Sequence, residues 1–253
     1  MMYATYVIWT KHMGKFAHST EELLGLALQS VLWVLLFGVG MSGLVPAIEG
    51  TNYMSYILPG IMALSALGGA VGGGIVLLDE RLRGIIKEYL AAPIPRLSIL
   101  LGNAASTATK AMFQAVLMLL VGLLMGARLA GHPAGWLLAL LLIAIFALGF
   151  SGLALAMAAV SRSIMGYHGM IFLFNLPLLF ASNALYPLQV LPTWMQGLVL
   201  LNPVTYLIDA VRALAFGTAP TLPILLSIAV VTAFAILCVW LALSMFQRSL
   251  RRP

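Results

Sequence analysis

Two side chains in this sequence are of the types needed for nucleophilic acyl transfer: Ser151, within Gly149-Phe150-Ser151-Gly152, and His168. The imidazole must lie within ~3 Å of the hydroxyl to take its proton as the oxygen attacks. Both residues sit in apolar runs, but at different depths. Ser151 stands about nine residues, or ~14 Å of helical rise, before its run ends at Val160, while His168 stands only ~6 Å into the next run. A gap of ~8 Å is too wide for proton transfer. Small residues where two helices cross explain Gly149 and Gly152 more simply. Phosphate chemistry is no better supplied. No Gly-x-x-x-x-Gly-Lys-[Ser/Thr] loop occurs, and Gly14-Lys15 has neither the earlier glycine nor the following hydroxyl. The cluster Gly68-Gly69-Ala70-Val71-Gly72-Gly73-Gly74 lacks a lysine and lies in an apolar run. Its four-residue spacings suit close helix approach, with a gating hinge as the alternative. The chain is therefore expected to hydrolyse no nucleotide by itself.

The remaining chemistry is charge, and it is concentrated. The chain has 13 Lys+Arg and 7 Asp+Glu, and seven of these fall between Asp79 and Arg96. There Leu82, Ile85, Ile86, Tyr89 and Leu90 recur at helical spacing. Arg81, Lys87 and Glu88 fall elsewhere on the wheel. This pattern predicts one short amphipathic helix ended by Pro93 and Pro95, with Gly84 in its middle. Gly84 costs about 1 kcal/mol there against alanine, which suggests the close approach of another surface.

The elements that must position these residues are read from composition. Hydrophobic residues make up 62% of the chain and charged ones 8%, and the mean hydropathy is +1.07. Soluble domains are about 25% charged, so this is an all-α integral membrane protein. Six runs are long enough for the ~20 residues that a span needs: 23–45, 56–78, 99–125, 136–160, 164–185 and 222–246. Residues 1–22 read as an amphipathic interface helix, with Tyr3, Tyr6 and Trp9 at headgroup level and no signal-peptide pattern. Residues 186–217, broken by Pro187, Pro192 and Pro203, read as two short re-entrant helices on the outer face. Cys238, the one cysteine, lies inside the last span.

With both termini cytoplasmic, Lys11, Lys15, Arg81, Arg83, Lys87, Arg96, Arg162, Arg248, Arg251 and Arg252 are inside and only Arg128 and Arg212 outside. That asymmetry sets the expected orientation. The basic pI then reflects loops facing anionic lipid rather than nucleic acid. Polar groups within the spans are few. Lys110 either snorkels or pairs with Glu21 or Glu22. Gln29, Asn175 and Asn183 either join helices or face a pathway. Asp209 and Arg212, at i, i+3, are expected to pair with each other. No ladder of charges crosses the bundle, which favours an apolar or amphipathic cargo over an ion.

The run from Glu80 through Gly84, Glu88 and Pro93 to Arg96, with Leu100-Leu101-Gly102 after it, resembles the signature loop of ABC transporter permeases of the type-2 exporter class. Asn202-Pro203-Val204-Thr205-Tyr206-Leu207-Ile208-Asp209-Ala210-Val211-Arg212 resembles that family's outer segment, and so do Leu185-Tyr186-Pro187-Leu188 and Leu191-Pro192-Thr193-Trp194. The likeness covers nearly the whole chain and is closest to drug-resistance and lipo-oligosaccharide export permeases. It implies that the loop at 79–98 docks on a separate ABC ATPase subunit, which binds the ATP and Mg. Leu82, Ile85, Ile86 and Tyr89 would anchor it, and Glu80, Arg81, Arg83, Lys87 and Glu88 would set register around Gly84. It also implies an outer gate at Tyr186, Pro187, Asn202, Pro203, Tyr206, Asp209 and Arg212. Six spans imply a homodimer, placed in the bacterial inner membrane. The rivals are an ion-coupled secondary transporter or a channel, and a rhomboid-like protease built on Ser151.

Overall fold

The structure, a computed structural model, describes residues 2–40, 52–91 and 95–249. Among these the secondary structure is helical. The helices are α1 (Met2–His18), α2 (Thr20–Trp33, continued by a π-helical segment Val34–Val39), α3 (Tyr53–Leu82), α4 (Ile85–Ala91), α5 (Arg96–Leu124), α6 (Pro133–Val160), α7 (Ile164–Phe180), α8 (Thr193–Leu201), α9 (Pro203–Phe216) and α10 (Ile224–Ser249). A 3-10 turn, Leu188–Val190, precedes α8.

Five described helices are long and apolar enough to cross a bilayer: Thr20–Val39, α3, most of α5, α6 and most of α10. The 17 residues of α7 rise ~25 Å, at the lower edge of what a span requires. Its helix stops at Phe180, five residues short of the expected span end. The reason lies in its last carbonyls. Asn202 Nδ2 donates to the oxygens of Leu178 (2.9 Å) and Ala181 (2.5 Å), so the chain turns there without leaving those groups bare. The end of the first expected span, 41–45, lies outside the described residues.

Two further boundaries differ from the sequence reading. Ser19 breaks the amphipathic start from the first span, its Oγ accepting from Glu22 N at 3.3 Å, so Glu21 and Glu22 belong to α2. And α3 runs past the apolar stretch to Leu82, which brings Asp79, Glu80 and Arg81 into a long helix rather than into the loop.

α3 and α6 form the middle of the bundle, and glycine sets how closely their neighbours approach. A Cβ on Gly149 would stand 2.4 Å from Ala235 Cα, and one on Gly152 would stand 3.1 Å from Cys238 backbone. The glycines around Ser151 are thus the crossing of α6 with α10. On α3, a Cβ on Gly73 would meet Thr107 Oγ1 of α5 at 2.1 Å, and one on Gly74 would meet the Tyr167 hydroxyl of α7. That hydroxyl donates to Val71 O at 2.8 Å. Packing, the simpler reading of the cluster, therefore accounts for Gly73 and Gly74. α1 lies along the first half of α5. Ile8, His12 and Phe16 form its buried face, Trp9 Nε1 donates to Thr109 Oγ1 at 3.1 Å, and Phe16 meets Phe113 edge-on. At the other end of the bundle α8 and α9 meet at 86°, which matches the two short helices expected there.

Candidate functional sites at the two ends of the bundle

The charged stretch is not one helix. Arg83 and Gly84 form a turn between α3 and α4, and Gly84 has φ +79°. An added Cβ there would meet nothing within 4 Å. Gly84 is required for its left-handed backbone, and no neighbour among the described residues approaches it closely.

The bend also redistributes the side chains. Glu80 is 5% exposed. Its Oε1 accepts from Lys11 Nζ of α1 at 2.7 Å and from the Tyr89 hydroxyl of α4 at 3.2 Å, and Lys11 also donates to Tyr89. The ammonium lies 5.1 Å from the centre of the Tyr89 ring. One carboxylate thus ties together α1, the end of α3 and α4. Burial acts to lower the Lys11 pKa, but the hydrogen bonds and charge of Glu80 and Tyr89 outweigh it, so the net shift is upward. Burial raises the Tyr89 phenol. His12, one turn from the latch, is lowered by burial, against the attraction of Glu80.

Arg81, though exposed, reaches across to α6. Its Nη1 donates to the oxygens of Ala158, Ala159 and Ser161, so it caps the carbonyl end of α6. Ile86 is buried among Leu77, Ile99 and Tyr167. Of the expected docking set, Arg81, Leu82, Arg83 and Glu88 are exposed, with Gly84, Ile85 and Tyr89 at partial exposure. Arg83 Nε pairs with Asp79 Oδ1 at 2.8 Å across one exposed turn, a contact worth little in energy. The side chain of Lys87 lies outside the described residues.

The opposite end gathers the residues expected at the outer gate. Asp209 and Arg212 are both buried, and the ion pairs among the described residues do not join them to each other. Asp209 accepts from the backbone N–H groups of Thr221 (3.1 Å) and Leu222 (2.9 Å), which lead into α10. Arg212 lies 3.9 Å over the Tyr56 ring of α3. Its Nε donates to Tyr56 O and its Nη2 to Asn183 O, both at 3.2 Å. Two helix ends offered better partners than a neighbour three residues away. Asn202 Oδ1 caps α9 by accepting from Val204 N at 3.0 Å, with Pro203 as the first helical residue. The Tyr206 hydroxyl donates to Leu200 O. Pro187 opens the 3-10 turn. Tyr186 is exposed and stands apart from this network. Sequence reasoning missed Tyr56 and Asn183 as partners of Arg212 because the hydrogen bonds go to their backbone oxygens, which leave no residue-type signal, and the Tyr56 ring lies 156 positions away.

Within the bundle, Lys110 Nζ pairs with Glu22 Oε1 at 2.5 Å, the second of its two expected fates. Gln114 Nε2 donates to Gln29 Oε1 at 3.3 Å. Ser151 is fully buried, and its hydroxyl has no hydrogen-bonding partner among the described residues. His168 is exposed, with its Nδ1 3.0 Å from Ile164 O of its own helix. The acyl-transfer pair is not assembled.

Residues 3–216 match the family model described as ABC-2 type transporter. The chain is 29% identical over 255 residues to nodulation protein J of Sinorhizobium fredii, covering 97% of this chain and 90% of that one. It is 26% identical to the daunorubicin resistance ABC transporter permease protein DrrB1 of Streptomyces coeruleorubidus, covering 84% and 74%. To the ycf38 permease of Cyanophora paradoxa it is 30% identical over 190 residues, and there it spans 74% of this chain but just 65% of the relative. Multiple apolar spans, a charged bend latched to an amphipathic leading helix, a sharply bent helix pair before the last span and this match agree: the chain belongs to the ABC-2 family of transporter permeases.

Proposed function

We propose that this chain is the membrane subunit of a bacterial inner-membrane exporter for a hydrophobic or amphipathic cargo, driven by a separate ABC ATPase subunit. The α1/α4 end faces the cytoplasm, with both termini on that side. The ATPase docks on Leu82, Arg83 and Glu88, and the ATP and Mg reside on it. Two copies pair, so that two docking surfaces receive two ATPases.

The observation that carries this reading is the Lys11–Glu80–Tyr89 latch. A push on exposed α4 is delivered through buried Glu80 directly to the end of α3, a helix of 30 residues and so ~45 Å long. Its far end holds the Arg212 contact at Tyr56. Closure of the ATPases would thus move the outer residues without a long relay of side chains. The name of one relative, a daunorubicin resistance ABC transporter permease protein, supports an exported cargo.

The test is purification of the tagged chain from native membranes, followed by an ATPase assay. The expected outcome is a co-purifying nucleotide-binding subunit whose activity loses its dependence on this chain when Glu88 is changed to Arg. A chain that purifies alone and stimulates no ATPase refutes the proposal.

A further inference from the structure

Not all polar groups near α1 serve the latch. Between α1, α2, α3 and α5 lies a cavity of about 210 Å³. At ~30 Å³ per molecule that is room for about seven waters, or for the bulk of one monosaccharide ring. Part of its wall is bare backbone: at Gly68 and Gly72 of α3 an added Cβ would meet nothing within 4 Å. These are the members of the glycine cluster that helix packing does not explain.

The other walls are polar yet carry balanced charge. Lys110 is matched by Glu22. His12 is disfavoured as a cation by burial and by the neighbouring lysines, against Glu80. The Gln29–Gln114 bond uses one donor and one acceptor of two amides and leaves others. His12 is 7% exposed, and its Nε2 has no hydrogen-bonding partner among the described residues. A phosphate entering here would meet Glu22 beside Lys110 and gain little. A neutral group with several hydroxyls, each both donor and acceptor, matches this mixture.

At Gln29 the cavity adjoins an apolar groove of about 380 Å³ along α2, lined by Leu28, Leu32, Trp33 and Leu36. From Gly25 to Leu36 the helix rises ~16 Å, the reach of a dodecyl chain. We propose that cavity and groove together hold one amphiphile, its uncharged hydroxyl-rich headgroup against Gly68 and Gly72 and its alkyl chain along α2. This rests on the reading of an amphipathic cargo above and names its class.

The test is binding, with no ATPase present. The full chain in lipid nanodiscs is titrated with dodecyl β-glucoside, dodecyl phosphate and dodecanol. Trp33 serves as the fluorescence reporter after Trp9, Trp136, Trp194 and Trp240 are changed to phenylalanine. Expected is saturable glucoside binding, with the phosphate and the alcohol weaker by about tenfold or more. Gly72→Leu projects a side chain into the cavity from a position whose Cβ meets nothing within 4 Å, and should abolish binding. Gly197→Leu, also in open space but on α8, should not. Glucoside binding that survives Gly72→Leu overturns the proposal, as does phosphate bound equally well. A signal that follows protein concentration and ignores glucoside places a second copy on the groove and also overturns it. A chain that binds glucoside but recruits no ATPase refutes the exporter reading and leaves this site standing.

Discussion

At the scale of single residues, the latch makes the strongest claim because its members differ in burial. Glu80 is 5% exposed, whereas the Lys11 side chain is 49% exposed. Lys11→Met strands a buried carboxylate and is expected to cost about 1–3 kcal/mol. Glu80→Gln removes the buried charge itself and should cost less, since the freed ammonium returns to water. Thermal unfolding of the two variants in detergent checks the order. The titrations give a window as well. The Lys11 and Tyr89 pKa values are raised in the fold from 10.5 and 10.0, so their stabilisation is complete below about pH 10 and is lost as pH rises through the folded values. His12 is lowered from 6.5, so its contribution is complete above that value and is lost as pH falls through the folded one. Docking of α1 on α4 is therefore expected to be tightest between roughly pH 6.5 and 10. Spin labels on Gly14→Cys and Glu88→Cys, in a chain with Cys238→Ser, should show a short, narrow distance in that window and broadening on both sides. A distribution left unchanged by Lys11→Met would remove the latch. At this scale the sequence was least legible. Asp209 and Arg212 have the spacing of a pair, yet each bonds to the backbone of another segment, 12 to 156 positions away. Helical spacing reports neighbours along one helix and says nothing about backbone groups of other segments brought up by the fold.

At the scale of elements, glycine carries the information and its meaning depends on context. Gly84 sits in open space with a left-handed backbone, so substitutions there should rank by backbone preference rather than by size. Gly84→Asn, though bulkier, is expected to retain more ATPase coupling than Gly84→Ala, because asparagine tolerates this region while alanine pays about 1–2 kcal/mol. ATPase stimulation by the two variants gives the order, and a milder effect for alanine would sink the turn assignment. Gly149 is the opposite case: its φ is unremarkable and its space is full. Gly149→Ala should push α6 and α10 apart and cost about 1–3 kcal/mol, with Gly152→Ala milder because its nearest contact is looser. Five of the six expected spans and their order were legible because ~20 apolar residues in a row have one use. So was the broken pair before the last span, where prolines mark each end. The bend at Gly84 was not, because the apolar spacing from Leu82 to Leu90 fits an unbroken helix equally well. Tertiary pull decided it: Ile86 turns into the core while Leu82 stays out.

At the scale of the whole molecule, the two clusters lie at opposite ends and, among the described residues, α3 is the one helix that takes part in both. It holds Glu80 at one end and Tyr56 at the other. Its middle is braced by Thr107 and Tyr167 against Gly73 and Gly74, so it can shift as a rod more readily than it can bend. If this rod carries the stroke, the Arg212 contact is where motion reaches the outer segment. Arg212→Gln keeps a side chain of related shape but gives up the cation over Tyr56 and part of the bonding to Tyr56 O and Asn183 O. The expected result separates two functions. ATPase association and hydrolysis persist, since the α4 end is untouched, while the outer end stops responding. The readout is labelling of Trp194→Cys, on exposed α8, by a membrane-impermeant maleimide in a Cys238→Ser chain, with and without ATP on the opposite side. The unaltered outer segment should show an ATP-dependent labelling rate and the Arg212→Gln chain a constant one. Labelling from the outside also fixes orientation, because Arg83→Cys should react only from the cytoplasmic side. An ATP-dependent rate that survives Arg212→Gln would mean that the stroke bypasses the Tyr56 end of α3, and transmission would then have to run through α6, whose carbonyl end Arg81 caps.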